Sequence, residues 1–325
     1  MNAFEYAMPT SLDEALSQLS ATAGETQVMA GGTDLVTALK QGIVAPRRIV
    51  SIRHIEDIKG IDVSGGSLRI GAMTSLDELS KHDEVQKSFP SLVTAVNAIG
   101  SKQIACMGTV GGDLCQLPRD WYFRNGFGLI ARDGNRDLVA EGDNRYHAIF
   151  GNDGPAKFVN ASRLAPSLIA LKATVTVRGP GGTSRDLPLE ELFHSPTSPE
   201  EGNTTLAPNE IVTHISVPVG STKNASYDIQ PRQGLDWPLV AAAVAFDDAG
   251  GSAKTVRVVL GHVAPTPWVA SEAAKALEGK AVNEASAAEA GEAAVSGANP
   301  LSRNGYKTKL VKVAVKRAIL TAAKA

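Results

Sequence analysis

Apolar positions along the chain alternate between a helical and a strand period. Ser11-Leu12-Asp13-Glu14 has the form of a capping box, and Leu12, Ala15, Leu16 and Leu19 then share one helical face. Thr26 to Ala30 predicts a short strand, Asp34 to Gln41 a helix, and Arg48 to Ile52 a second strand. That alternation predicts a small α/β unit ending near Gly60. A new strand opens at Ser67 to Ala72, a second capping box lies at Ser75-Leu76-Asp77-Glu78, and Pro90 to Ile99 reads as an apolar helix closed by Gly100.

Further on, Ala170 to Val177 predicts a strand, Gly179-Pro180-Gly181-Gly182 a hairpin-like turn, and Leu187 to Phe193 a short helix. Pro196 to Pro208 is a polar loop. Ile211, Thr213, Ile215 and Val217 fall on one face of a half-buried strand. A break follows at Pro218 to Lys223. Beyond it the pattern gives a strand at Ser226 to Gln230, a helix or strand around Trp237 to Phe246, and a strand at Thr255 to Val263. Three helical runs then span 269–278, 284–295 and 307–322, with Lys307, Lys309, Lys312, Lys316 and Arg317 expected on a solvated face. No internal repeat of fixed period is visible.

Asp120 to Asp153 breaks these periods. Trp121, Tyr122, Phe123 and Phe127 are followed by Gly, Asn, Asp and Arg. So long a loop within a compact domain is functional or disordered, and its aromatics argue for order. Two uses stay open: a hydrophobic flap on a sheet, or a cover over a ligand or partner surface.

Composition narrows the class. The chain has 325 residues, 43% hydrophobic and 20% charged, with a net charge of −2. These values suit a globular protein of two domains and give no electrostatic footprint for nucleic acid. The N-terminus lacks a signal-peptide pattern and no apolar run is long enough for membrane insertion, so a cytoplasmic location is expected. Cys106 and Cys115, the two cysteines, are too few for a four-thiolate metal site and are expected to be buried thiols. The six histidines, His54, His82, His147, His194, His214 and His262, lack metal-ligand spacing. No metal site and no catalytic acid or base is expected.

The candidate chemistry lies in two glycine stretches. Val28-Met29-Ala30-Gly31-Gly32-Thr33-Asp34-Leu35 follows one predicted strand, and Thr109-Val110-Gly111-Gly112-Asp113-Leu114 follows the Pro90 helix. Glycine allows positive φ and close approach to a ligand. Successive free N–H groups in such turns make an anion-binding concavity, so each loop is expected to offer them to a phosphate. The helix beginning at Asp34 would add partial positive charge beneath it. Each loop alone is no more specific than a turn. Neither is a Walker A motif, and neither fits Gly-x-Gly-x-x-Gly.

Together the two stretches resemble the FAD-binding medium subunit of the molybdenum hydroxylases, the xanthine dehydrogenase and carbon monoxide dehydrogenase family. Ala30-Gly31-Gly32-Thr33-Asp34-Leu35 is similar to its first flavin pyrophosphate loop and Thr109-Val110-Gly111-Gly112-Asp113 to its second. Arg145 to Gly151 and Leu164-Ala165-Pro166 extend the resemblance over nearly the whole chain. It implies an α+β fold: a two-part vanillyl-alcohol-oxidase-like (PCMH-type) FAD-binding domain over residues 1–222, with subdomains of about 1–60 and 61–222 and an insertion at 120–155. A small α/β C-terminal domain of the CO dehydrogenase flavoprotein type would cover 223–325.

The resemblance also implies FAD as cofactor. A molybdopterin-containing large subunit and a [2Fe-2S] small subunit would be the partners, and electrons would pass from the partner's clusters through FAD to an external acceptor. One branch of the family carries four cysteines for a [4Fe-4S] cluster in the insertion; here Asp120 stands at the first such place, so the insertion is expected without the cluster. Three further positions depart from the pattern. Arg163 in Ser162-Arg163-Leu164-Ala165-Pro166 replaces an Asp that contacts the flavin nucleotide, Asp228 replaces a Lys near the flavin ring, and Asp113 replaces Asn where a second negative charge would repel a phosphate. Arg163 and Asp228 together either rebuild a compensated site or mark a structural subunit that has lost FAD. A stand-alone flavin reductase ranks third.

Overall fold

The computed structural model describes residues 1–232 and 234–325. Strands β1 (Glu5–Ala7), β2 (Thr26–Met29) and β3 (Arg48–Ser51) form a parallel sheet in the order β1-β3-β2. Helices Leu12–Ser17 and Leu35–Gln41 are the crossovers that parallel pairing requires. Ser11 caps the first by accepting from Glu14 N at 3.3 Å, while the Glu14 carboxylate accepts from Thr10 N, so the predicted box closes one residue early.

The second part is an antiparallel sheet. β4 (Ile61–Ser64) and β5 (Ser67–Gly71) open it; its remaining strands come after a helical layer and the insertion, within which β6 (Arg132–Asp133) and β7 (Arg136–Asp137) form a hairpin. Strands β8 (Thr174–Arg178), β9 (Ser184–Pro188) and β10 (Ile211–Pro218) complete the order β4-β5-β10-β8-β9. Because β10 lies between β5 and β8, it is buried on both faces from Ile211 to Ile215, not half-buried as its alternation suggests. Thr213 and His214 are therefore interior polar residues. Two more expectations change. Ala170 ends a helix, Ala165–Ala170, before β8 begins, and Leu187 belongs to β9 with only a short 3-10 turn, Leu189–Leu192, after it.

The C-terminal part is an antiparallel sheet of β11 (Lys223–Ile229), β12 (Val240–Ala249), β13 (Ser252–Gly261) and β14 (Trp268–Val269) in chain order. Period-two alternation along β12 sends Ala242, Val244 and Phe246 to one core and Ala243 and Ala245 to another. The first core is covered by helices Ser271–Leu277, Glu284–Ala293 and Tyr306–Ala322. Small residues bring these helices close: a Cβ on Gly291 would lie 2.6 Å from the Lys312 carbonyl oxygen. The second core is shared with the central sheet through Leu168, Val175 and Ile215, so the two parts are joined by buried apolar surface.

The insertion is ordered. Asp120 accepts from Tyr122 N and Phe123 N at 3.0 Å and caps helix Trp121–Arg124; Asp137 caps helix Leu138–Glu141 in the same way. Its far end is tied to the last helix: Asn304 Nδ2 donates to the carbonyls of His147 and Ala148, both at 3.1 Å, and Asn144 Oδ1 accepts from Arg303 N. Lys307 belongs to this junction rather than to the solvated face its neighbours suggest. It is 1% exposed and donates to the Tyr146 and His262 carbonyl oxygens at 2.9 Å. Cys106, expected to be buried, is exposed on helix Lys102–Met107. Among the described residues no helix is long and apolar enough to cross a membrane.

Burial pushes the Lys307 ammonium down from 10.5 to about 7. With a depressed folded-state value, the unfolded chain binds more protons between those limits, so stability rises with pH across that window. Urea midpoints of the wild type are expected to climb between about pH 7 and 10.5 more steeply than those of Lys307→Met. Parallel profiles would remove this assignment.

Candidate cofactor site

The first glycine stretch leaves β2 and enters helix Leu35–Gln41. Gly32 takes φ 74°, which an L side chain adopts only with strain. Gly31 meets a different constraint: a Cβ there would lie 1.7 Å from the Met107 carbonyl oxygen. Among the described residues none accepts a hydrogen bond from the backbone N–H of Gly31, Gly32, Thr33 or Asp34. Successive free donors are what an anion-binding concavity requires of such a stretch. Val28 and Met29 are half-buried in β2, with Met29 and Val36 beside Gly32, and Leu35 opens the helix.

The second stretch is built differently. It is a short helix, Val110–Leu114, and its amides are spent: Val110 N donates to Thr74 O, Gly111 N to Ala72 O, Gly112 N to Thr109 Oγ1 and Asp113 N to Thr109 O. The expectation of free N–H groups fails here because the segment pairs with the turn after β5 and caps itself through Thr109. Its glycines serve close approach instead. A Cβ on Gly111 would sit 2.8 Å from the Ala72 Cβ, and one on Gly112 2.9 Å from Thr109 Oγ1 and 4.0 Å from the Ala30 Cβ.

Neither loop carboxylate is directed at the free amides. Asp34 Oδ2 accepts from Leu117 N at 2.9 Å, and its Oδ1 pairs with Arg124 Nη2 at 2.9 Å and Arg119 Nη1 at 3.1 Å. Asp113 is buried and accepts from Ser162 Oγ (2.5 Å), Leu164 N (3.0 Å), Arg163 N (3.3 Å) and Gln116 Nε2 (3.0 Å). Burial raises its pKa against these donors. The Asp113 carboxylate is thus directed at residues 162–164 and Gln116 and not at the free amides of residues 31–34.

Asp113 in turn fixes Arg163. The guanidinium donates to Ala98 O (3.0 Å) and Asp236 O (2.8 Å) and pairs with Asp228 at 3.3 Å, with both side chains nearly buried. Burial alone moves both partners toward neutrality: it lowers Arg163 and lifts Asp228 to about 6 despite the guanidinium beside it. Near neutral pH the pair is ionised, since an arginine does not lose its proton in a protein.

Trp237 lies against this pair, 5.4 Å from the Arg163 guanidinium and 4.7 Å from that of Arg119. His262, at φ 61°, is 6.3 Å from Trp237; burial, then Arg163 and Lys307, holds its imidazole well below the usual range. The sequence reading did not assign Arg119, Arg124, Trp237 or His262 to the site. The two arginines flanking an aromatic run were the visible signal. A cleft of about 450 Å³ bounded by Ser11, Asp57, Arg69, Thr176, Arg178 and His214 is separate from these groups.

An α/β unit, a central antiparallel sheet and a third sheet meeting around paired glycine segments define a flavoprotein of the dinucleotide-binding kind. Residues 2–220 match the FAD binding domain in molybdopterin dehydrogenase and residues 225–322 the CO dehydrogenase flavoprotein C-terminal domain, and the chain belongs to that family. It is 27% identical over 97% of its length to the carbon monoxide dehydrogenase medium chain of Hydrogenophaga pseudoflava, covering 96% of that protein. The glyceraldehyde dehydrogenase medium chain of Sulfolobus acidocaldarius is 25% identical, with 97% of this chain and 96% of that protein covered. The solved Hydrogenophaga pseudoflava carbon monoxide dehydrogenase that lacks the Mo-pyranopterin moiety of its cofactor superposes with a TM-score of 0.77, over 99% of this chain and 98% of the other, at 27% identity.

The free amides of residues 31–34, with neither loop carboxylate directed at them, fit the diphosphate of FAD. Gly31→Ala is expected to lower the thermal midpoint more than Gly32→Ala, since it strikes backbone rather than a movable side chain. Gly32→Val and Gly112→Val are expected to abolish flavin retention; unchanged flavin content in both would remove the two-loop site. Asp228→Lys sets an ammonium against Arg163 and is expected to lower flavin affinity, whereas a rise would mean the pair had not replaced the usual contacts.

Proposed function

We propose that this chain is the FAD-bearing electron-transfer subunit of a heteromeric molybdenum hydroxylase. The observation that carries the reading is the run of free N–H groups from Gly31 to Asp34, set where Gly31 packs on the Met107 carbonyl. In this reading Val28 to Leu35 and Thr109, Gly111, Gly112 and Asp113 frame the diphosphate. Asp113 acts by holding residues 162–164, and Arg163 and Asp228 stand at the ring end of the cofactor. When bound, FAD would supply the redox chemistry. The chain's own residues bind it, orient it and exclude water; none is assigned acid or base work.

Electrons would arrive from [2Fe-2S] clusters on a small partner subunit, after substrate oxidation on a molybdopterin-containing large subunit, and leave for an external acceptor. The reading divides the chain into an FAD-binding domain, residues 1–222, and a C-terminal domain, residues 223–325. It places the complex in the cytoplasm, a reducing compartment that suits the free thiols of Cys106 and Cys115.

The visible spectrum of the purified chain, with flavin and iron quantified after denaturation, tests this. Stoichiometric flavin without iron is expected. Neither flavin nor iron, even after incubation with FAD, would replace the reading with a structural subunit that has lost its cofactor.

A further inference from the structure

Arg119, just before the insertion, and Arg124 within it converge on the end of the first glycine loop. Arg124 Nη2 and Arg119 Nη1 both reach Asp34 Oδ1, at 2.9 and 3.1 Å. One carboxylate thus pairs with two guanidiniums beside the four free amides, with the buried Asp113 the other carboxylate in electrostatic reach of Arg119. The remaining contacts hold both arginines in place: Arg124 Nε donates to Pro118 O at 2.9 Å, and Arg119 Nη2 to Gln116 Oε1 at 3.1 Å. Each still keeps one buried donor without an acceptor, Nε of Arg119 and Nη1 of Arg124. Buried N–H groups of a charged side chain are rarely left so, and one explanation is an acceptor that arrives with a ligand.

We propose that Arg119 and Arg124 are phosphate-directed positioning residues: together with the Gly31–Asp34 amides they form the cationic wall of the diphosphate site, and Asp34 is the counter-charge that aims them. The inference rests on the FAD reading above and deepens it. An arginine fork suits phosphate oxygens geometrically, and two guanidiniums with four amides offer more donors than one carboxylate can use. It also gives the insertion a role in this chain that requires no thiolates. Within the insertion, Arg124 brings a cation to a loop 90 residues earlier.

The test is titration of flavin-free protein with FAD at several potassium chloride concentrations, followed by flavin fluorescence, for the wild type, Arg119→Gln, Arg119→Lys and Arg124→Gln. Each Gln variant is expected to weaken FAD by about tenfold or more, the loss typical of a hydrogen bond to a charged group. Each should also flatten the dependence of Kd on salt, because a charge facing phosphate has been removed. Arg119→Lys should retain the salt dependence. Inorganic pyrophosphate should compete with FAD in the wild type and lose potency in the Gln variants. Arg124→Gln guards against an effect relayed through Trp237, against which only Arg119 of the two is stacked. Gln variants with wild-type Kd overturn the inference, as does weakened binding with unchanged salt dependence, which would assign the arginines only to holding the loop. If the wild type takes up no FAD, the functional reading fails and this inference with it; a failure confined to the variants leaves that reading intact.

Discussion

The buried carboxylate of Asp113 is the interaction on which the site depends. It takes hydrogen bonds from the backbone at Arg163 and Leu164 and from the side chains of Ser162 and Gln116. A buried carboxylate is tolerated only when its lone pairs are so satisfied, and losing a donor leaves part of its desolvation cost uncompensated. It sets the start of helix Ala165–Ala170, and so the position from which Arg163 extends to Asp228 and to the Asp236 carbonyl. One charge in the second glycine segment therefore fixes how the C-terminal sheet meets the FAD-binding part.

Around that anchor the architecture divides its work by polarity. Apolar burial joins the parts broadly, since β12 feeds a core on each face. The polar junctions give direction. Asp34 draws Leu117, Arg119 and Arg124 toward the first loop, while Asn144, Asn304 and Lys307 fasten the other end of the insertion to the last helix. Such contacts add little net stability, but leaving one unmade is costly, so they select one arrangement over its neighbours. Residues 117–148 are thus a strap between the first glycine loop and the C-terminal helix.

Much of this was legible in residue pattern. Capping boxes, the glycine pair at 31–32 and the alternation of the C-terminal strands each report a local rule, and local rules survive folding. What escaped prediction depended on neighbours supplied by distant segments. The alternation of β10 suggested a wet face because a sequence does not state that a strand will be central. Thr109-Val110-Gly111-Gly112 looked like free amides because its acceptors, Thr74 and Ala72, lie in another turn. Lys307 sat in a basic run, and only tertiary packing reveals that it points inward at two carbonyls. For the same reason Arg163 and Asp228 were legible as a compensating pair, but the Ala98 and Asp236 carbonyls that also hold the guanidinium were not.

The partners of Arg163 also impose an order in time. Its guanidinium is satisfied on one side by Ala98, already made when it emerges, and on the other by the Asp236 carbonyl, 73 residues later. At roughly 5–20 residues per second a ribosome needs roughly 4–15 s to supply that acceptor. The ion-pair partner of Arg163, Asp228, comes 65 residues after it, so until the C-terminal sheet is made the guanidinium lacks both contacts. The Arg163 junction is therefore coupled to synthesis of the C-terminal sheet, and a nascent chain halted before it would present the glycine loops without that junction.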